Sequence, residues 1–149
     1  MAYIHKLHQD ALREVVARVS DNDRRDLFRL CLASCLFYCM CIPWIYRHIK
    51  IDFSRRIGIV LLHRVCRETS MIATYVRTVT LVNCGKATME GWQLLYKALS
   101  QFTRLEDLSW DSHVVLPGFL MDHVRSLHSR TNLQAKVDQI YATNAIAGT

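Results

Sequence analysis

The chain has 149 residues, about the length of one ordinary domain, which excludes a multidomain enzyme. Of these residues 51% are hydrophobic and 21% are charged, with only 5 Gly and 2 Pro, so the composition excludes an intrinsically disordered, collagen-like or low-complexity chain. The net charge of +6 at pH 7 is compatible with an acidic partner. The charge alone does not indicate whether that partner is an acidic protein patch, a nucleic acid or an anionic lipid.

Charged residues near the N-terminus argue against a secretory signal. Lys6, Asp10, Arg13 and Glu14 lie where a signal peptide requires an unbroken apolar region. The six cysteines are therefore expected to be reduced, in a cytosolic or nuclear protein. Four of them lie within eleven residues, on what the pattern predicts as one helix. Since structural zinc takes ligands from two chain segments, we expect no metal and no cofactor.

Three helices are predicted before residue 46. Apolar residues at three- and four-residue steps predict the first, over 9–19, and a turn-forming cluster predicts that the second starts near Asp23. Pro43 is expected to end or kink the third, because its ring disfavours helical geometry at the preceding residue. Residues 30–46 carry no charge, but they are fewer than the roughly 20 apolar residues of a membrane span. This segment therefore predicts a buried helix and no membrane partner.

A strand and a helix are predicted next. Alternating apolar residues indicate a short strand over 48–53. Ser54 is predicted to cap a helix over 55–68 with one apolar face, formed by Ile57, Val60, Leu61, Arg64 and Val65.

Two segments of the second half match the leucine-rich-repeat pattern L-x-x-L-x-L-x-x-N/C. One begins at Val76 and the other at Leu105, 29 residues later. A third unit would begin near Leu133, but we expect the pattern to fail there, because Lys136 occupies the second apolar position. Helices are predicted over 88–99 and 117–128.

The first third of the chain resembles an F-box. The matching positions are the opening segment 7–11, the Asp26-Leu27 pair and the closing run 43–49, Pro-Trp-Ile-Tyr-Arg-His-Ile, which is the most specific part. The resemblance covers residues 7–53, and the repeats beyond it are similar to those of fungal F-box and leucine-rich-repeat proteins.

The resemblance implies a substrate-receptor subunit of an SCF-type cullin-RING ubiquitin ligase. The F-box would bind a Skp adaptor, and through it a cullin scaffold, while the repeats would hold an unidentified protein substrate. Such a subunit is not an enzyme, and the sequence contains no catalytic motif of the common hydrolase or nucleotide-binding kinds. A helical module this small cannot bury all of its apolar side chains, so part of them should face a partner. The residues predicted to form the adaptor face are Leu7, Leu12, Val15, Leu27, Leu30, Pro43 and Trp44.

The predicted fold is mostly α with short strands. A three-helix F-box over 5–53 precedes a short, incomplete leucine-rich-repeat α/β array of about two units over 54–133, and residues 134–149 form a weakly ordered tail. One alternative is a ligase-independent protein-binding module or a truncated F-box fragment, since so few repeats make little concave surface. A less favoured alternative is a nucleic-acid-binding domain. It rests on six Lys or Arg against one Asp in 47–67, a segment without an aromatic platform or zinc-finger spacing.

Overall fold

The computed structural model describes residues 2–111, 113–127 and 131–136. The chain divides into two compact units, Met1–Arg47 and His48–Thr149. It is mixed α/β, and the prediction of a mostly helical chain with short strands is confirmed. Residues 137–149, which make up most of the predicted tail, lie outside the described residues.

The first unit consists of three helices: α1 (Ala2–Asn22), α2 (Arg24–Ala33) and α3 (Cys35–Ile45). The start of α2 is the one predicted, because the side chain of Asp23 accepts a hydrogen bond from the backbone N–H of Arg25 at 2.8 Å. Ser34 is extended and separates α2 from α3, and its hydroxyl accepts from the N–H of Phe37 at 3.2 Å. The clustered cysteines therefore do not share one helix, since Cys31 lies on α2 and the other three lie on α3.

Pro43 does not end α3, which continues to Ile45. Only two residues of the helix follow Pro43, so the missing N–H costs little further hydrogen bonding. The end of the helix is held in other ways. The N–H of Tyr46 bonds to the carbonyl of Ile42 at 3.2 Å, and the guanidinium of Arg24 donates to the carbonyl of Ile45 at 3.1 Å.

The second unit carries a parallel sheet with helices in each crossover. Its strands are β1 (His48–Asp52), β2 (Thr78–Val82), β3 (Asp107–Asp111) and β4 (Asn132–Lys136). They neighbour one another in chain order, β1-β2-β3-β4. The helices are α4 (Arg56–Val65), α5 (Ile72–Tyr75), α6 (Met89–Gln101) and α7 (Gly118–Leu127), with a 3-10 turn at Cys84–Lys86.

The core of this unit lies between the sheet and the helices. Alternate strand residues are buried, because successive side chains of a strand point to opposite faces. The intervening strand positions are polar or half-buried. The buried strand residues are Ile49, Ile51, Val79, Leu81 and Leu108, and they share the interior with the helix residues Leu62, Val65, Leu95, Ala98, Leu99, Leu120 and Val124.

Two findings at the strands differ from the sequence analysis. The boundary predicted at residue 53 puts β1 in the first domain, whereas β1 pairs with β2 along its whole length and belongs to the second unit.

The expected failure of the third repeat is wrong for its strand, because β4 pairs with β3 from Asn132 to Lys136. A parallel ladder is made by backbone groups, so the polar side chain of Lys136 does not prevent it.

Helix α4 begins without the predicted cap. Its N-cap residue is Arg55, which makes no side-chain cap bond, while the hydroxyl of Ser54 donates to Asp52 instead. The buried face of α4 is also rotated from the predicted one. Gly58 is buried against β1, and Ile57 and Val60 are 72% and 53% exposed.

Asp52 ties the end of β1 to the end of β2 through Asn83, the residue that follows β2. One of its carboxylate oxygens accepts hydrogen bonds from the amide of Asn83 at 2.9 Å, and from the hydroxyl and N–H of Ser54 at 2.6 and 2.9 Å. These bonds, with a smaller contribution from the charge of Arg55, lower the pKa of Asp52 to about 2.

Acid is therefore expected to weaken the second unit through Asp52. A carboxyl whose pKa is lower in the folded state contributes stability that is fully present above its unfolded pKa, about 3.9, and is lost as the pH falls towards 2. Urea unfolding of the wild-type chain and of Asp52→Asn, measured from pH 6 to pH 2, tests this. We expect a shallower loss of stability below pH 4 in the variant. Parallel curves would mean that Asp52 contributes nothing to the acid response.

Candidate functional site

The predicted adaptor residues occupy two kinds of position in the helical unit. Leu27 is 2% exposed and forms the unit's core with Val16, Cys31, Cys41 and Ile45. Two more of the predicted residues, Leu30 and Trp44, are half-buried and pack against this core. These three side chains are therefore brought together as interior packing, not as a free surface.

The remaining predicted residues either lie nearer to solvent or have side chains outside the part of the chain that the structure describes. Leu12 and Pro43 are half-buried, and Val15 on α1 is 47% exposed. The side chain of Leu7 lies outside the described residues. Val15 is thus the most accessible of the predicted adaptor residues whose side chains are described.

Four large exposed side chains on α2 and α3 were missed by sequence reasoning. They are Phe28, Leu32, Leu36 and Tyr38, and Leu32 is 88% exposed. Phe28 and Leu32 are four residues apart on α2 and therefore share one flank of that helix. With Val15 they define what we call the apolar surface of the helical unit. The sequence does carry a signal for it, because residues 35–46 are apolar all round and one small core cannot bury every side of such a helix.

Charged side chains border the apolar surface. The guanidinium of Arg24 lies 5.9 Å from the centre of the Phe28 ring, within the range of a cation–π contact. Arg29 and Asp26, one turn apart on α2, form an exposed ion pair at 3.2 Å. An apolar centre with a polar and charged rim is the usual anatomy of a protein–protein interface.

The strands of the second unit offer a different, polar surface. Lys50, Thr80, Ser109 and Gln134 lie opposite one another in register across the four strands. The hydroxyl of Ser109 donates to that of Thr80 at 3.3 Å, and Ser109 itself is buried. A second row lies two residues earlier along each strand and contains His48, Thr78, Asp107 and Asn132. Both rows consist of hydrogen-bonding side chains, of which Ser109 is buried and the others are half-buried or exposed.

The basic residues of 47–67 are spread over a strand, a helix and the segments beside them. Arg47 belongs to the first unit and stacks over Trp44, 5.5 Å from its ring centre. Lys50 alternates with the buried residues of β1, and Arg55 pairs with Asp52 at 3.5 Å.

The thiols differ in burial and in acidity. Burial, with a hydrogen bond and the charge of Cys31, raises the pKa of Cys41 to about 12, and burial raises the pKa of Cys84 to about 11. Cys35 and Cys39 are exposed on α3. Among residues 2–111, 113–127 and 131–136, no group of three or more His, Cys, Asp or Glu side chains is placed to hold a metal ion.

Alkylation of the native protein should follow this order. The thiolate is the reactive form, so exposed thiols react before buried ones whose pKa is raised. With iodoacetamide at pH 8 we expect Cys35 and Cys39 to be modified first and Cys41 and Cys84 only after unfolding. Peptide mass spectrometry over time measures the order. Early labelling of Cys41 in the folded protein would contradict the packing of α2 on α3.

None of the helices in the described ranges combines the length and apolarity needed to cross a bilayer.

Comparison with known proteins found no match: no family model, no curated protein and no solved structure matches the chain.

Proposed function

We propose that the chain is a substrate-receptor subunit of an SCF-type cullin-RING ubiquitin ligase. Its helical unit would be an F-box that binds a Skp adaptor, and its parallel sheet a short leucine-rich-repeat array that binds a protein substrate. The subunit has no catalytic step of its own. It would act in the cytosol or nucleus by holding the substrate near the charged ubiquitin carrier, which is a proximity effect.

The apolar surface of the helical unit is the observation that carries this proposal. The unit has its own core, yet five large apolar side chains remain between 46% and 88% exposed: Val15, Phe28, Leu32, Leu36 and Tyr38. Large apolar side chains exposed to this degree are costly in water unless a partner covers them. The opening motif, over 7–11, and the first five residues of the closing motif, over 43–47, fall in this same unit, while His48 and Ile49 begin β1 of the second unit.

The order of the strands supports the repeat assignment. Strands that neighbour each other in chain order, with a helix in every crossover, are the arrangement of a leucine-rich-repeat array. The four strands begin at His48, Thr78, Asp107 and Asn132, so the first two spacings, 30 and 29 residues, agree with the 29-residue period between Val76 and Leu105, and the last is 25 residues. The described residues thus contain four strands of this kind, whereas the sequence pattern matched only two units.

Co-expression with a Skp adaptor tests the proposal. The full chain and the adaptor are produced together, and the pair is compared with each protein alone by size-exclusion chromatography and light scattering. We expect a stoichiometric complex and a higher soluble yield of the chain. A chain that stays monodisperse alone and elutes separately from the adaptor would overturn the F-box assignment.

One observation favours a second candidate, a protein-binding module that acts without a ligase. Leu27, Leu30 and Trp44 serve the core of the helical unit, so motif residues of the resemblance are accounted for by packing alone. In that case the polar rows on the strands would still bind a partner, but the helical unit would not bind the Skp adaptor. The same co-expression experiment separates the two candidates, because only the ligase subunit forms the adaptor complex.

A further inference from the structure

Two buried thiols meet in the core of the helical unit. Cys31 lies on α2 and Cys41 lies on α3, and both belong to the cluster of buried side chains in this unit. Cys41 is fully buried, whereas Cys31 retains 9% of its surface. The S–H of Cys41 is hydrogen-bonded to the sulfur of Cys31, so the two sulfur atoms are neighbours between α2 and α3.

The same contact determines which thiol of the pair keeps its proton. Burial, the hydrogen bond to Cys31 and the charge of the Cys31 thiolate together raise the pKa of Cys41 to about 12. Cys41 therefore stays protonated at neutral pH and directs its proton at the sulfur of Cys31. Redox-sensing cysteines have this arrangement, in which one thiol reacts with the oxidant and an adjacent thiol resolves the product.

The other two cysteines of the helical unit are more accessible but cannot bridge to each other. Cys35 and Cys39 are exposed and lie four residues apart on α3. The Cβ atoms of such a pair are about 5–6 Å apart in an intact helix, whereas a disulfide requires about 3.5–4.5 Å. The structure thus favours a bridge between Cys31 and Cys41 because of their proximity, and not because of their exposure.

We propose that Cys31 and Cys41 form a reversible disulfide that makes the helical unit responsive to peroxide. The Cys31 thiolate attacks hydrogen peroxide, the O–O bond breaks, and Cys31 becomes a sulfenic acid while the leaving hydroxide takes up a proton. The sulfur of Cys41 then attacks that of Cys31, the S–O bond breaks, and the proton of Cys41 leaves with the hydroxyl group as water. Two thiols and one peroxide thus give one disulfide and two waters. A dithiol reductant restores the thiols by exchange.

The bridge would join α2 to α3 across Ser34, the residue that separates the two helices. Four of the five side chains of the apolar surface lie on these helices: Phe28, Leu32, Leu36 and Tyr38. The disulfide would therefore hold both flanks of the apolar surface in one arrangement. This inference does not depend on the proposed ligase function, because the bridge is measured on the chain alone.

Peptide mapping of the oxidised chain provides the first test. All four cysteines of the unit lie in one tryptic peptide, over 30–47, so the full chain carries Cys35→Ser and Cys39→Ser, both at exposed positions. The folded variant is treated with hydrogen peroxide, and its remaining thiols are alkylated in urea. We expect this peptide to lack two hydrogens and to carry no alkyl group. Alkylation of both thiols, or of Cys41 alone, would overturn the proposal, as would a bridge that forms only when urea is present during oxidation.

Removal of each sulfur in the same background tests the order of the steps. With Cys41→Ala the sulfenic acid of Cys31 has no resolving thiol, so it should persist and be trapped by dimedone. With Cys31→Ala the fully buried Cys41 should remain a free thiol. Thermal unfolding midpoints above the assay temperature confirm that both variants are folded, and dithiothreitol should restore two thiols to the bridged chain. Dimedone at Cys41, or none at Cys31, would refute the assigned roles.

Discussion

Val15→Asp is expected to abolish the complex with the Skp adaptor while leaving the chain folded. Val15 is 47% exposed on α1, so a carboxylate at this position stays hydrated in the free protein. In the proposed complex the adaptor would cover it, and an unpaired charge buried in an interface costs about 3 kcal/mol or more, a loss of over a hundredfold in affinity. Leu32→Asp, at the most exposed residue of the apolar surface, should have the same effect from α2.

Val60→Asp is the matched control for this experiment. Val60 is 53% exposed on α4, in the second unit, and the substitution introduces the same charge at nearly the same exposure. Adaptor binding is measured for all three variants by calorimetry or by co-elution, with circular dichroism to check the fold. Wild-type affinity in both Val15→Asp and Leu32→Asp would remove the apolar surface from the adaptor interface.

Gly58→Ala is expected to destabilise the second unit more than a methyl group added at any other glycine of the described residues. A Cβ at Gly58 would lie 3.0 Å from the carbonyl carbon of Asp52, 3.1 Å from its backbone nitrogen and closer still to its carbonyl oxygen. The obstacle is the backbone of β1, which cannot rotate away as a side chain can. Because α4 must then lift off the strand, we expect a loss of about 3 kcal/mol in the free energy of unfolding.

Gly118→Ala is the control for that measurement. Gly118 is the first residue of α7, and a Cβ there would meet no atom within 4 Å. Alanine at this position should be neutral or slightly stabilising, because it limits the unfolded chain more than glycine does. The two variants are compared by urea unfolding at neutral pH. Equal stability of both would show that α4 does not press on β1 as the structure describes.

Local signals in the sequence predicted several elements well. Asp23 marks the start of α2 because its side chain caps the helix, and Thr88 does the same for α6, where it accepts from the N–H of Gly91. The alternation at Ile49 and Ile51 predicted β1, since burial on one face leaves a two-residue period. In each case the information lies within a few residues of the element.

The elements that were missed depend on contacts distant in sequence. Nothing in the apolar run around Ser34 distinguishes a capping serine from one inside a helix until α2 and α3 fold against each other. β4 escaped the repeat pattern because its pairing with β3 is made by the backbone, which no side-chain consensus records. The rotation of α4, with Gly58 inward, follows from the close approach of β1 to the helix.

The candidate site was predicted only in part for a related reason. Apolar periodicity identifies side chains that avoid water, and it does not say whether they meet their own core or a partner. Leu27 and Phe28 are neighbours of similar hydrophobicity, yet one is 2% and the other 46% exposed. Which of them turns inward is set by how α1 and α3 pack around α2, and this required the structure.

The chain-order sheet has a consequence for how the protein is made on the ribosome. Each strand pairs only with strands that are adjacent in the sequence, so β2 has its partner as soon as it emerges, and β3 never has to wait for a distant segment. The sheet of the second unit can thus be assembled vectorially, each new strand adding to strands that are already paired. During synthesis one edge of this sheet is always β1, and the growing edge is the youngest strand, the one still closest to the ribosome.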